Sequence, residues 1–543
     1  MDVTAQLRAA ARERFGWEEL RPEQETAMRA LMAGRDALVV APTGGGKSAI
    51  YQVPATLLAG PTVVVSPLLA LQHDQIAGLA DRDDAALAAV RLSSAESASA
   101  QRAAVEALHS GRVEYVFVTP EQLADPEKLA AIREARPSLV AVDEAHCISA
   151  WGYDFRPDYL QLGRAVRDLG HPPVVALTAT ASPPVREDIL SRLGMRDPEV
   201  VISDLDRPNI LLEAVQCVDE EQRRQRLLGR LRESQPPGIV YVSTRRAAEE
   251  LAAWLTDTGI EAAAYHGGMS ARERTRRHEA FLADEVPVMV ATSAFGMGID
   301  KPNIRWVNHV SLPDSPDSYF QEIGRAGRDG EPAQALLLFR TEDTGLRKFF
   351  TGGIPAVDGL SRLAEALRIG PATRTALREK TGLGPRKLGE HLSLLEEVGA
   401  AVAGRGGKWR AAAYAPGPAE AAEAAVEQAE RRQTVQRSRL DMMRNLAETL
   451  SCRGQALLAY FGQHLDQPCG HCDNCLSGAA DEVEAARDEG PYPVNGRVAH
   501  PEWGDGTVLR YSGDQMTVLF DDLGYKTLSV PVVEEQGLLT ELG

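Results

Sequence analysis

Ala41-Pro42-Thr43-Gly44-Gly45-Gly46-Lys47-Ser48 is a glycine-rich run that ends in Lys-Ser. Such runs turn backbone N–H groups inward around phosphate oxygens. An apolar run precedes it and a helical pattern follows, the context a phosphate-binding loop requires. On this reading Gly44, Gly45 and Gly46 cradle phosphates, Lys47 reaches the β- and γ-phosphates, and Ser48 holds Mg²⁺. A turn that binds nothing would not need Lys-Ser at that distance. Asp143-Glu144-Ala145-His146 closes a second apolar run, Leu139–Val142. Asp143 suits Mg²⁺ there, and Glu144 suits a general base acting on water. Gln321-Glu322-Ile323-Gly324-Arg325-Ala326-Gly327-Arg328 places two arginines three apart, on one face or turn. Either can stabilise charge that develops on a γ-phosphate.

A different chemistry is carried by Cys452, Cys469, Cys472 and Cys475, spaced Cys-x16-Cys-x2-Cys-x2-Cys. Four thiolates suit tetrahedral Zn²⁺, and four of them leave no open position for catalysis. The zinc is therefore structural. Cys147 and Cys217 stand apart from this group.

These residues need elements to hold them. Apolar runs at 37–40, 63–65, 115–118, 139–142 and 174–177 alternate with helical patterns. The series restarts at 238–242 and continues at 262–265, 288–291, 307–310 and 335–339. This spacing predicts two parallel-sheet α/β domains, 1–205 and 206–342, with a hinge in Asp204–Gln216 around Pro208. Residues 356–414 read either as a winged helix, with Arg405, Lys408 and Arg410 on its wing, or as a helical spacer. A linker helix and the cysteine module follow over 415–478, where 431–453 hold six Arg against two acidic residues. That excess predicts a DNA-facing stripe. Residues 479–494 read as an acidic tether and 495–543 as a small β-barrel.

The composition bounds the class of protein. The chain has 543 residues and a formal charge of −18, which speaks against a wholly basic nucleic-acid coat. Residues 479–543 hold 13 acidic and four basic residues, so half of that charge sits in the tail. No apolar run approaches the ~20 residues that span a bilayer, so no membrane is expected. Arg8, Arg12, Glu13 and Arg14 precede any hydrophobic stretch, so the start does not read as a signal peptide. The expected compartment is the cytoplasm.

With these motifs in place the sequence resembles the RecQ family of superfamily 2 DNA helicases. The likeness runs from Phe15 to about Phe339 and resumes at about Arg437–Leu476. Phe15-Gly16-Trp17 with Arg21 and Gln24 is similar to the family's adenine-reading motif. It implies that Trp17 stacks on the base and that Arg21 and Gln24 hydrogen-bond it. Ala294-Phe295-Gly296-Met297-Gly298-Ile299-Asp300-Lys301-Pro302 is a stretch specific to RecQ-like proteins, and it adds Asp300 to the nucleotide contacts. Cys147 to Tyr159 looks like the family's aromatic-rich loop, with Trp151, Phe155 and Arg156 facing single-stranded DNA. Ala150 and Tyr153 stand where the family carries Gln and His. Coupling roles fall by the same likeness on His146, Thr178, Thr180 and Thr292.

The resemblance implies an α/β fold of two tandem RecA-like domains, then the 356–414 segment, a helical zinc-binding module and a barrel. It implies ATP, Mg²⁺ and structural Zn²⁺ as cofactors, and single-stranded and branched DNA as partners. The activity implied is 3′→5′ unwinding in DNA repair or recombination. An RNA helicase and an ATP-switched annealing protein are the alternatives. The tail from His500 to Asp522 resembles the Tudor-like domain that ends UvrD/PcrA helicases. That likeness implies a protein partner, RNA polymerase or a repair factor; a barrel that only stabilises the terminus is the plainer reading.

Overall fold

Short runs such as Thr-Val-Val-Val at Thr62–Val65 and Leu-Val-Ala-Val at Leu139–Val142 are buried at every position. A strand apolar on both faces belongs in a parallel sheet covered by helices on each side. In the computed structural model these runs are β2 and β5 of such a sheet. The others are β1 (Ala37–Val40), β3 (Ala89–Leu92), β4 (Tyr115–Val118), β6 (Val174–Thr178) and β7 (Glu199–Ile202). The order is β3-β4-β2-β5-β6-β1-β7. The structure describes residues 2–67, 69–80, 82, 84, 87–93, 96–149, 156–296, 299, 301–343, 345, 353–404, 407–485 and 490–542. Ala150, Trp151, Tyr153, Phe155, Asp300 and Arg405, singled out above, lie outside the described residues.

The second lobe holds β8 (Ile210–Gln216), β9 (Gly238–Tyr241), β10 (Ala262–Tyr265), β11 (Val288–Ala291), β12 (Trp306–His309) and β13 (Ala333–Phe339). Their order is β10-β11-β9-β12-β13-β8, again parallel. Gly238 is required in β9, because a Cβ there would meet the Trp306 ring at 2.1 Å. Most of the segment expected as a hinge is β8, an edge strand paired along its whole length with β13. Pro208 lies in the short connection just before it.

After the second lobe come the helices Val357–Ile369, Arg374–Thr381 and Pro385–Glu397. With them go β14 (Ala372–Thr373), β15 (Ala401–Ala403) and β16 (Lys408–Ala411), ordered β14-β16-β15. This is the element order of a winged helix. Its core, with Leu360, Leu377, Leu392 and Trp409, also takes in Ala421, Ala422 and Ala425 of the long helix Pro418–Glu448. Further along, Leu440, Met443 and Leu446 of that helix belong to the core of the two lobes. One helix of 31 residues, about 45 Å long, therefore ties the two cores together.

The C-terminal sheet holds β17 (Arg497–His500), β18 (Gly504–Ser512), β19 (Gln515–Phe520), β20 (Gly524–Ser529) and β21 (Thr540–Leu542), ordered β20-β19-β18-β17-β21. Leu509, Leu519 and Tyr525 of this sheet join the main core. The segment expected as a tether begins as the helix Ala479–Ala485. The barrel is thus packed on the body of the protein, not strung from it. Among the described residues no helix is long and apolar enough to cross a membrane.

Candidate active site

The phosphate loop leaves the C-terminal end of β1, and the Asp-Glu box leaves that of β5, with only β6 between them. Ligand sites of parallel sheets lie at those ends. Gly44 and Gly46 have φ of 81° and 71°, conformations that a Cβ disfavours. Gly45 has no room for one, since it would sit 2.8 Å from the Pro42 carbonyl. Lys47 Nζ donates to the Ala41 and Pro42 carbonyls at 2.9 and 3.2 Å. Burial lowers its pKa, opposed by the charges of Glu144 and Asp143. Ser48 stands at the start of the helix Ala49–Ala55.

Gln24 reaches the same loop, its amide donating to the Gly46 carbonyl at 3.0 Å. Its Oε1 accepts from the backbone N–H of Arg21 at 2.9 Å. Trp17 stacks on Phe15 at 4.6 Å, and the Arg82 guanidinium lies 5.5 Å from the Trp17 ring. Arg82 was not among the residues the sequence singled out, because no motif contains it.

Asp143 is buried, and burial followed by the neighbouring Glu144 charge pushes its carboxyl up to about 7, against the pull of Lys47. A buried acid beside a phosphate loop fits the hard cation that Mg²⁺ is. Glu144 takes a φ of 49°, unusual for a residue with a side chain. Its carboxylate lies 3.3 Å from His146 Nδ1, and that nitrogen is 2.9 Å from the Thr178 hydroxyl. The Thr178 hydroxyl donates to the Thr180 carbonyl at 3.0 Å. The Gln321 amide of the second lobe donates to the Thr180 hydroxyl at 3.4 Å. A polar chain therefore runs from Glu144 to the helix Pro316–Ile323, which leads into Arg325 and Arg328.

The two arginines part company. Arg328 lies against the phosphate loop, its Cδ 3.9 Å from where a Gly44 Cβ would stand, and it donates to the Ile299 carbonyl at 2.7 Å. Arg325 is buried in its own lobe, beside the Tyr241 hydroxyl and Gly296. His309, which sequence reasoning missed, pairs with Glu322 at 2.7 Å and stacks on Tyr241. These residues, with Thr292, Arg245 and Arg156, line a cleft of about 700 Å³. Arg156 also donates to the Pro67 carbonyl at 3.2 Å.

At the cysteine module all four Sγ atoms lie within 4.8 Å of one another. Tetrahedral Zn–S bonds of ~2.3 Å place sulfurs about 3.8 Å apart, so the set fits. Backbone N–H groups of Gln455 and Cys469 donate to Cys452 Sγ, and that of Arg453 to Cys472 Sγ. Gly454 must be glycine, because a Cβ would sit 2.9 Å from Cys469 Sγ. Burial pushes the Cys475 thiol up to about 12, so a cation is what makes the thiolates tolerable. The turn also covers the edge strand β8: Leu212 N donates to the His471 carbonyl, and Ala214 N to Asp473.

The structure corrects the expected arginine stripe in part, leaving Arg437 exposed. Arg439 is buried against Asp317, Arg453 against Asp473, and Arg432 pairs with Glu397. Arg431 and Arg444 pair with acids one turn away on their own helix. A count of charges along a helix does not reveal acids brought to it by other elements.

Two parallel-sheet lobes, with a phosphate loop in one and Arg328 lying against it from the other, define a helicase-type nucleoside triphosphatase. Family models match three stretches: DEAD/DEAH box helicase over 21–189, helicase conserved C-terminal domain over 221–330, and RecQ zinc-binding over 419–476. The chain is 35% identical over 492 residues to the ATP-dependent DNA helicase RecQ of Synechocystis sp., covering 87% of this chain and 98% of that one. It is 35% identical over 464 residues to RecQ of Pasteurella multocida, covering 85% of this chain but only 61% of the relative's length. This chain belongs to the RecQ family. In fold it is similar to the Mycobacterium smegmatis helicase Lhr bound to single-stranded DNA and AMP-PNP, at 23% identity and a TM-score of 0.51, over 78% of this chain and 62% of that one. Saccharomyces cerevisiae Dbp5 bound to RNA and ADP BeF3 gives a TM-score of 0.51 at 17% identity, over 64% and 91%.

Proposed function

We propose that the protein is an ATP-dependent DNA helicase that steps 3′→5′ along single-stranded DNA and opens duplexes. The observation that carries the reading is the polar chain from Glu144 through His146, Thr178 and Thr180 to Gln321. It joins Glu144, the general base of this reading, to the helix of the other lobe that leads into Arg325 and Arg328. In this reading Lys47 holds the β- and γ-phosphates, and Ser48 and Asp143 hold Mg²⁺. Glu144 takes the proton from the attacking water, and Arg328 meets the γ-phosphate. Thr292, Arg245 and Arg156 contact the strand in the cleft. Lys408 and Arg410, exposed on β16, face duplex DNA as part of a winged helix.

The test is unwinding of 3′-tailed against 5′-tailed duplexes, with Lys47→Ala as the control. The tail at the 3′ end should be preferred, and Lys47→Ala should lose ATPase while still binding single-stranded DNA. Full ATPase in Lys47→Ala would overturn the site. Stimulation by RNA and not by DNA would overturn the substrate.

A further inference from the structure

The C-terminal barrel touches the ATPase at a place with a mechanical meaning. Its Tyr525 is 3% exposed and stacks on Tyr460 of the zinc module at 4.7 Å, with 24° between the rings. The Tyr525 backbone N–H donates to the Ser438 hydroxyl at 2.9 Å, and its own hydroxyl lies 3.4 Å from the Tyr460 carbonyl. Tyr460 in turn bonds through its hydroxyl to Asp317 at 2.5 Å, and Arg439 donates to Asp317 at 3.0 Å. Asp317 opens the helix Pro316–Ile323, one turn before Gln321.

The other side of Tyr525 meets the first lobe. Burial raises the pKa of its hydroxyl, and Ser182, two residues after Thr180, is near enough to oppose that rise. Ser182 is the N-cap of the helix Pro183–Leu193. The zinc module reinforces the contact. A Cβ on Gly462 would meet Arg186 at 2.9 Å and Pro183 at 3.1 Å. Gln463 donates to the Ser203 carbonyl and accepts from Leu205 N, where the chain passes between lobes.

Two routes therefore run from the Thr178–Ser182 segment to the helix of Gln321. One is direct, Thr180 to Gln321. The other passes through the barrel and zinc module, by way of Tyr525, Tyr460 and Asp317. Both are made in the arrangement in which Arg328 lies on the phosphate loop.

We propose that Tyr525 is a positioning residue for ATP hydrolysis: the barrel braces the two lobes in the contact that brings Arg328 to the phosphate loop. The inference rests on the ATPase reading above. Its consequence follows from linkage. A brace made only in the closed arrangement raises the population of that arrangement, and apparent affinity for ATP scales with that population. Nucleotide must then tighten the barrel to the same degree.

The experiment compares the full-length wild type with Tyr525→Phe and Tyr525→Ala, each checked for zinc content and circular dichroism. Steady-state ATPase with single-stranded DNA gives KM and kcat separately. Hydrogen exchange across Gly524–Ser529 is followed with and without Mg²⁺ and a non-hydrolysable ATP analogue. Tyr525→Ala should raise KM for ATP about tenfold while kcat at saturation stays within about twofold. Tyr525→Phe, which keeps the stack, should raise KM two- to threefold. The analogue should slow exchange in the wild type and do so less in Tyr525→Ala. An unchanged KM in both variants, or exchange in the wild type that ignores nucleotide, overturns the brace. Should Tyr525→Ala fail to fold, the Tyr525→Phe KM and the wild-type exchange decide. A wild type without ATPase would defeat the proposed function instead, and the exchange arm would still test the brace.

Discussion

Gln321 and Thr180 meet across the two lobes, amide to hydroxyl, at 3.4 Å. Both side chains are buried. Each is also tied to a candidate site element: Thr180 to the Glu144–His146 pair through Thr178, and Gln321 to Arg325 and Arg328, which follow the end of its helix at Ile323. In the proposed function, the contact is where hydrolysis in one lobe is felt by the other. Gln321→Ala and Thr180→Val should each lower unwinding more than they lower DNA-stimulated ATPase. Because each removes the same bond, the double variant should be no worse than the poorer single one. The coupling read from a double-mutant cycle should be about 0.5–1.5 kcal/mol. Strict additivity would show that the two side chains do not act on one another.

Arg328 and Arg325 differ in what they touch, and their variants should differ too. Arg328→Ala removes the side chain whose methylenes lie against the phosphate loop, and should cost on the order of 10³ in kcat with a small change in KM. Arg325→Ala empties a buried place beside Tyr241 and Gly296 within the second lobe. It should cost less in kcat and more in thermal stability. Measured kcat in the opposite order would reverse the assignment.

What the sequence made legible was local along the chain. The phosphate loop, the Asp-Glu box and the four cysteines are runs whose spacing alone brings their atoms together. Pairings over long separations were hidden. Nothing near Arg439 in sequence points to Asp317, 122 residues away. His309 sits at the end of a short buried strand, and its partner Glu322 is visible only once that strand lies beside the helix. Pro208 suggested a hinge through Gln216. It lies just before β8 (Ile210–Gln216), where it costs the strand no hydrogen bond. The acidic tail read as a free module because composition reports charge, while its docking depends on Tyr525, a buried side chain of β20, beside Leu509 and Leu519.

The zinc module holds more than itself. Its turn supplies partners to Leu212 N and Ala214 N on β8, and an uncovered edge strand invites association with other chains. Wild-type protein should carry one zinc per chain. Chelation, or Cys469→Ser, should expose all remaining module thiols to a thiol reagent. It should also bring aggregation at temperatures where the holo-protein stays dispersed. A metal-free chain with unchanged solubility and unreactive thiols would refute this.

The contact between the 356–414 unit and the first lobe should depend on pH through Glu396. Burial, and next the charge of Asp158, push its carboxyl up to about 7; the Gln161 amide, 3.0 Å away, works the other way. Glu397 adds repulsion, while its own charge is answered by Arg432, and Asp158 is answered by Arg374. The folded pKa is raised above the unfolded value of ~4.3. Between these values the folded chain keeps a proton that the unfolded chain has lost, so stability falls as pH rises from about 4.5 to about 7. Above that window Glu396 is a buried charge facing like charges. Glu396→Gln removes the charge and keeps an acceptor for Gln161. It should stabilise the helix Pro385–Glu397 at pH 8 by about 1–2 kcal/mol, allowing for partial solvent screening. Amide exchange there, corrected for its intrinsic rate, should slow roughly tenfold at pH 8 and stay unchanged at pH 5. Equal effects at both values would mean that packing, and not the titration of Glu396, governs the contact.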